Sequence, residues 1–503
     1  GRRALTWGVA GAAAVAVVGL AAAGDSWRTW DTRFFAVFQV NRPDKFGTRE
    51  KARDTLRNTD VLYYAEGVHA IVSSIKVKGG TQSFVTNGRI EATDNAPDLA
   101  CQLTLGHLPM LLHRNPEKVF VLGTGSGMTL GATSAHRSVK QITLAEIEPK
   151  VLGAARTFAR YNHDVLDNPK LRTVFNDGRN FLLTTDEKYD VITADPVHPW
   201  FGGAGYLYTR ESFELAARRL SPGGIMCQWL PIYELTEENL KSIVRTFHES
   251  FEHVQLWLTY HDAELVGSRS PIVIDEDALA RRIAEPEVLA DLRQVQMGSA
   301  ADFLSHFAMG SAGAAAYGRG GVLNTDDNLY LEFSAPFSIE KVGLTASNFA
   351  GLVRHRESPL PYLKTPASES ARAEQAARCD GDLRAASVVD RVRARELAGR
   401  FGAPDYSRLI ADLDGPYGAY APWRSLRGEF TRKMAQEPRL VRQVALPASD
   451  ADGAVIHVRL GAVTRRMTSE ITALDFVDGR DGTVLGHYEI LGAGMEPRTE
   501  ALV

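Results

Sequence analysis

The strongest constraint on this chain lies between residues 119 and 231, where short apolar runs alternate with longer segments of helical spacing. "VFVLGTGSG" reads as a strand and a glycine turn, followed by a helix to about His136. "QITLAEIE" is a strand, "PKVLGAARTFARYN" a helix, and "LRTVFNDG" and "YDVITAD" are two further strands. "RESFELAARRL" and "GGIMCQWL" repeat the helix and the strand, and "ENLKSIVRTFHESF" adds an amphipathic helix. Strands as continuously apolar as "VFVL" belong to a parallel sheet with helices on both faces. The expected class is therefore α/β, with any ligand bound beyond the carboxyl ends of the strands.

The flanks divide the rest. Residues 1–24 read as a transmembrane helix, because "ALTWGVAGAAAVAVVGLAAA" runs from 4 to 23 without a charge, about the length that crosses a bilayer core; the flank "GRR" and the end "AAAGDS" also fit a secretory signal, for which the apolar run is long. Its small residues suit close helix packing, and together with the absent initial Met they suggest the end of a multispan region. Arg28, Arg33, Arg42 and Lys45 outnumber Arg2 and Arg3, which predicts a cytoplasmic location for the residues after the span, behind a bacterial inner-membrane anchor. A linker is expected over 25–60. A small β region is expected over 61–115, in which Asn87-Gly88 signals a tight hairpin. The main domain spans 116–340, a second linker 341–380, and an α+β segment of unknown role 381–503, with strand-like "AVIHVRL" and "EITALDFVDG" near its end.

Composition excludes some classes. With 44% apolar residues in 503 the chain can bury a large core, and a net charge of -4 without a Lys/Arg stripe argues against a nucleic-acid partner. Cys101, Cys227 and Cys379 lie far apart with no Cys/His pairing, so neither a disulfide framework nor a metal site is expected.

The chemistry begins at the first turn. Gly123, Gly125 and Gly127 let the backbone approach a ligand at a helix N-terminus, and Glu146 closes the next strand about twenty residues on, where an acid meets ribose hydroxyls. The spacing is shorter than that of a dinucleotide loop, which favours a nucleoside without phosphates. Asp177, with Gly178 after it, is placed to meet an adenine amino group. The plainer reading of both acids is a solvated strand end or a helix cap. Asp195 ends the fourth strand, with His198 three residues on. Trp200, Phe201, Tyr206 and Tyr208 follow in a loop loosened by Gly202, Gly203 and Gly205, which reads either as a lid over a cation or as an ordinary surface loop.

Residues 61 to 335 resemble the spermidine synthase family of aminopropyltransferases, and more closely its membrane-fused, spermidine-synthase-like bacterial branch. "VLGTGSG" is similar to the family's glycine loop, "AEIE" to its ribose-binding acidic pair and "NDGRNFL" to its adenine-side Asp-Gly. "YDVITADPVHP" is similar to its catalytic strand end, and "LYTRESFELAARRLSPGGIMCQWLP" to the helix and strand that follow. The resemblance implies a Rossmann-like sheet of class I methyltransferase type. It implies decarboxylated S-adenosylmethionine as co-substrate, bound by Gly123, Gly125, Ser126, Gly127, Glu146, Asp177 and Gly178. It also implies an amine acceptor, catalysis by Asp195, and a homodimer by analogy; His198 joins Asp195 as the second candidate catalytic residue, and Glu91, Tyr206 and Tyr208 are the candidates to hold the amine. "NTDDNLYLEFSAP" also looks like a segment of that branch; its residues read as a turn in which Asn324, Thr325 and Asp326 bond local backbone before a strand.

Three departures bear on the acceptor. His198 stands where the family carries a second aspartate, Ser126 where an aspartate meets the donor's amine, and Cys101, Gln102 and Leu103 where a Tyr-His-Glu helix lines the amine pocket. A histidinium beside Asp195 would repel a diammonium substrate, so the charge pattern that reads a polyamine is expected to be thinned. Transfer of an aminopropyl group to an altered amine is the primary reading. The alternatives are methyl transfer from S-adenosylmethionine, and a non-catalytic nucleoside sensor coupled to a membrane domain.

Overall fold

A computed structural model describes residues 32–39, 46–260, 262–339 and 341–436, together with the strands Thr472–Val477 and Val484–Ile490. The described residues up to Phe430 form one compact unit and those from Thr431 onward a second.

The first unit opens with a four-stranded antiparallel sheet of β1 (Thr59–Glu66), β2 (Ile71–Val77), β3 (Gln82–Thr86) and β4 (Arg89–Thr93). Between β3 and β4, Asn87 and Gly88 have φ of 49° and 76°, the pair of left-handed residues that a two-residue hairpin turn needs. The helix Ala96–Leu112 follows, capped by Asn95, whose side chain accepts from the Asp98 N–H at 3.0 Å. Its residues are apolar on nearly every side, and Leu103, Leu105 and Leu108 are fully buried because the helix lies between sheets.

The main sheet has eight strands: β5 (Lys118–Leu122), β6 (Gln141–Glu146), β7 (Leu171–Phe175), β8 (Tyr189–Ala194), β9 (Leu220–Pro231), β10 (His253–Leu258), β11 (Asp262–Ser268) and β12 (Phe307–Met309). They are ordered β12-β10-β11-β9-β8-β5-β6-β7. β5, β6, β7, β8 and β9 pair in parallel, and β5 sits between β6 and β8, where the winding reverses. A ligand crevice opens at such a switch point. One face packs Cys227, Trp229 and Trp257 against Leu103 and Leu105 of the helix; the other packs Phe213 and Phe247 from the helices Arg210–Arg219 and Glu237–Ser250.

Several expectations need correction. The sheet is not wholly parallel, because β11 runs against β9 and β10 on either side of it, and β12 against β10. The stretch expected as a linker over 25–60 contains the helices Thr32–Val37 and Arg49–Asn58, and Ala36 and Val37 bury against Ile75 and Val85. The β region 61–115 includes the 17-residue helix Ala96–Leu112. The stretch 341–380 is mostly helical, with Leu344–Val353 and the start of Glu369–Leu397 burying Phe349, Leu352 and Cys379. A helix, Tyr330–Ser334, and not a strand, follows the Asn-Thr-Asp-Asp turn. Thr472–Val477 pairs antiparallel with Val484–Ile490, while "AVIHVRL" lies outside the described residues. Among the described residues no helix is long and apolar enough to cross a membrane; the apolar run 4–23 lies outside them.

Candidate active site

Four adjacent parallel strands, β8, β5, β6 and β7, end at one edge and deliver the predicted residues together. Gly123 and Gly125 take φ of 82° and 51°, and a Cβ on either would project into open space, so the turn presents bare backbone to the crevice. Glu146 is buried behind that turn. Its Oε2 accepts from the Thr124 N–H at 2.8 Å and its Oε1 from the Glu148 N–H at 2.9 Å, and burial pushes its pKa up against those bonds. Ser126 is buried and donates through Oγ to the Gln102 side chain. Gly127, at φ 81°, is the N-cap of the next helix. Asp177 is exposed and caps the helix Gly178–Thr184 by accepting from the Asn180 N–H at 2.7 Å, so the plainer reading of this acid is realised in the structure.

Asp195 stands on the wall of a recess. Its side chain reaches solvent, yet protein surrounds it so closely that burial, with the Asp98 carboxylate nearby, pushes its pKa up to about 7. Glu91 belongs to the same recess: it accepts from the Thr86 hydroxyl at 3.1 Å, and burial raises its pKa to about 7 although Arg89 and Thr86 pull it back. Two acids on β11 complete the cluster. Asp262 accepts from the Trp229 indole N–H at 2.9 Å and is raised to about 7 by burial and by Asp98 and Asp195. Glu264 is fully buried, accepts from Thr259 Oγ1 at 3.2 Å, and is pushed well up by burial and by Asp262. For Asp262, shielded from solvent, that shift corresponds to roughly 4 kcal/mol of unfavourable charge. One partial counter-charge is Arg89, which is already paired with Glu234 and lies 5.2 Å over the Trp200 ring.

His198 corrects an expectation about charge. Its ring packs between Trp200, Trp229 and Tyr233, with centroids 4.1, 4.9 and 5.4 Å away, and burial plus the Arg89 guanidinium hold its pKa well below the usual value. The imidazole is neutral, and so does not repel a cation. Arg89 Nη2 lies 3.5 Å from Nε2 and can only donate, so the proton sits on Nδ1, which is buried without a partner among the described residues.

Of the predicted aromatic residues, Tyr208 is fully buried, donates to the Val197 carbonyl at 3.3 Å, and has its hydroxyl pKa pushed well up by burial, Asp195 and Glu91. Tyr206 is partly exposed, with the Arg179 guanidinium 5.6 Å over its ring, and so faces a different partner. Sequence reasoning missed Asp98, Asp262, Glu264 and Arg89. A signal existed for two of them: "HDAELVGS" puts acids at alternate positions, hence on one face, of an otherwise apolar strand.

The strand order and the turns at its carboxyl edge define a Rossmann-like α/β domain with a mostly parallel sheet. The spermine/spermidine synthase domain model matches residues 99–261. The chain is 30% identical over 214 residues to the polyamine aminopropyltransferase of Aeropyrum pernix, covering 41% of this chain and 67% of that one. It is 30% identical over 195 residues to the spermidine synthase of Dictyostelium discoideum, covering 39% and 68%. The solved spermidine synthase of Thermotoga maritima aligns with a TM-score of 0.38 at 19% identity, over 47% of this chain and 87% of that one. This chain belongs to the spermine/spermidine synthase family. It spans from 40% to 66% of the length of other curated relatives.

Proposed function

We propose that this protein transfers the aminopropyl group of decarboxylated S-adenosylmethionine to an amine. The observation that carries this reading is the cluster of four acids, Glu91, Asp195, Asp262 and Glu264, whose pKa values are all raised although Arg89 pulls on Glu91 and Arg393 on Asp262. A cationic acceptor supplies the missing charge. An alkylammonium, with a pKa near 10, must lose a proton before its nitrogen can attack. A carboxylate within reach of the ammonium can accept that proton, and one whose surroundings push its pKa up takes it more readily than an ordinary aspartate. The free amine then attacks the carbon beside the sulfonium; the carbon–sulfur bond breaks with its electron pair going to sulfur, which leaves as methylthioadenosine.

On the donor side, the Gly123 and Gly125 backbone, Ser126, Gly127, Glu146, Asp177 and Gly178 are assigned to the nucleoside, and exposed Ile147 offers an apolar face for the base. Neutral His198 orients the acceptor through its unpaired Nδ1–H and leaves proton removal to Asp195. We also propose that residues 4–23 anchor the protein in a bacterial inner membrane with this domain in the cytoplasm, on the strength of twenty uncharged residues and the basic residues after them. A homodimer remains part of the proposal by family analogy alone.

The test offers the purified protein decarboxylated or ordinary S-adenosylmethionine with a panel of amines and follows thioethers by mass spectrometry. Methylthioadenosine, formed only with the decarboxylated donor and most with a diamine, is expected. S-adenosylhomocysteine would establish methyl transfer instead, and nucleoside binding with no thioether would establish a sensor.

A further inference from the structure

The segment 324–332, "NTDDNLYLE", has no part in the chemistry above, yet it grips the loop that borders it. That loop, residues 196–209, leaves Asp195 and ends at the helix Arg210–Arg219. Asn324 is fully buried, and its amide donates to the carbonyls of Gly205 at 3.4 Å and Tyr208 at 3.0 Å. Glu332 accepts from the Gly203 N–H at 3.2 Å. Asp326 accepts from Thr209 Oγ1 at 2.7 Å and, in two-pronged fashion, from Arg179, with Nη1 at 2.9 Å. Arg179 in turn donates to the Tyr206 carbonyl at 3.2 Å. Burial alone would raise the Asp326 pKa, but the bonds from Arg179 and Thr209 outweigh it and hold the group charged.

The pair therefore links two walls. Arg179 belongs to the turn after β7 that carries Asp177 and Gly178, and Asp326 holds the outer half of the loop beside Asp195. The inner half differs: Val197 is exposed, and a Cβ at Gly202 would meet nothing. A two-pronged arginine–carboxylate pair fixes direction as well as distance, which a single surface ion pair does not.

We infer that Asp326 is a positioning residue. With Arg179 and Asn324 it clamps the outer half of the 196–209 loop to the nucleoside-side turn, so that the inner half closes over the acceptor from a fixed base. The inference deepens the aminopropyl-transfer reading, but its principal test does not depend on it. In amide hydrogen exchange of the unliganded full chain, Asp326→Asn and Arg179→Met should each speed exchange in residues 203–209 at least tenfold, with β5, β6 and β8 unchanged. The double variant should be no worse than either single one. In turnover, Asp326→Asn should raise KM for the amine and lower kcat about tenfold, while methylthioadenosine affinity stays within twofold. Asp326→Glu should recover part of the loss. Unchanged loop exchange, or acceleration spread evenly over the sheet as a merely structural role would give, overturns the clamp. A wild-type protein without aminopropyl transfer overturns the function and leaves the exchange result to decide the clamp.

Discussion

Asp195→Asn is expected to slow aminopropyl transfer by about 100- to 10,000-fold, the usual worth of a positioned proton acceptor, while leaving methylthioadenosine affinity within about threefold. The amide keeps the size and the polar contacts of the carboxyl but cannot take a proton from an ammonium. Asp195 lies outside the glycine turn and touches solvent, so its loss leaves the nucleoside cradle and the sheet intact. Steady-state kinetics beside calorimetric titration of methylthioadenosine separate the two quantities. Unchanged turnover would remove Asp195 from its role.

Glu146→Gln should have the second largest effect, a fall in nucleoside affinity of about 100-fold with a loss of stability of about 1–3 kcal/mol. Both carboxylate oxygens are already used, by the Thr124 and Glu148 N–H groups, and these contacts hold the glycine turn in place before any ligand arrives. An amide replaces one acceptor by a donor facing another donor, in a buried position where neither finds water. Calorimetric titration and thermal unfolding read the two losses. A variant that binds the nucleoside normally would separate Glu146 from the cradle.

Much of this architecture was legible in the sequence, because local signals decide it. Apolar runs ending in glycine or acid fix β5, β6 and β8, and Asn87-Gly88 fixes the hairpin through its left-handed backbone. Where long-range contacts decide, the sequence was mute. The antiparallel insertion of β11 between β9 and β10 depends on pairings such as Leu265 with Gln228, which no local pattern announces. The first turns of the helix Glu369–Leu397 read as a loose stretch up to Cys379, because the apolar residues the helix buries, Cys379, Ala385, Ala386 and Val389, are small and begin only there. The charge of His198 depends on Arg89, 109 residues away, and on aromatic rings from β9 and the turn after it. The apparent loss of acceptor charge at positions 126 and 198 is offset by Asp98, Asp262 and Glu264 in space.

These acids tie function to pH. Glu91, Asp195 and Asp262 have unfolded values near 4 and folded values of about 7, so the folded protein holds protons that the unfolded chain releases between those limits. Their contribution to stability is present below about pH 4 and is lost as pH rises through about 7. A bound dication reverses the penalty by favouring the ionised carboxylates, and so must expel protons.

The most direct measurement is therefore calorimetry of putrescine binding to the methylthioadenosine complex at pH 6.5, in two buffers of different ionisation heat. Release of about one to two protons per diamine, vanishing at pH 9 where Glu91, Asp195 and Asp262 are already ionised, is the predicted result. Binding without proton release at pH 6.5, or with proton uptake, would contradict a recess built from unmatched acids to receive a cationic amine.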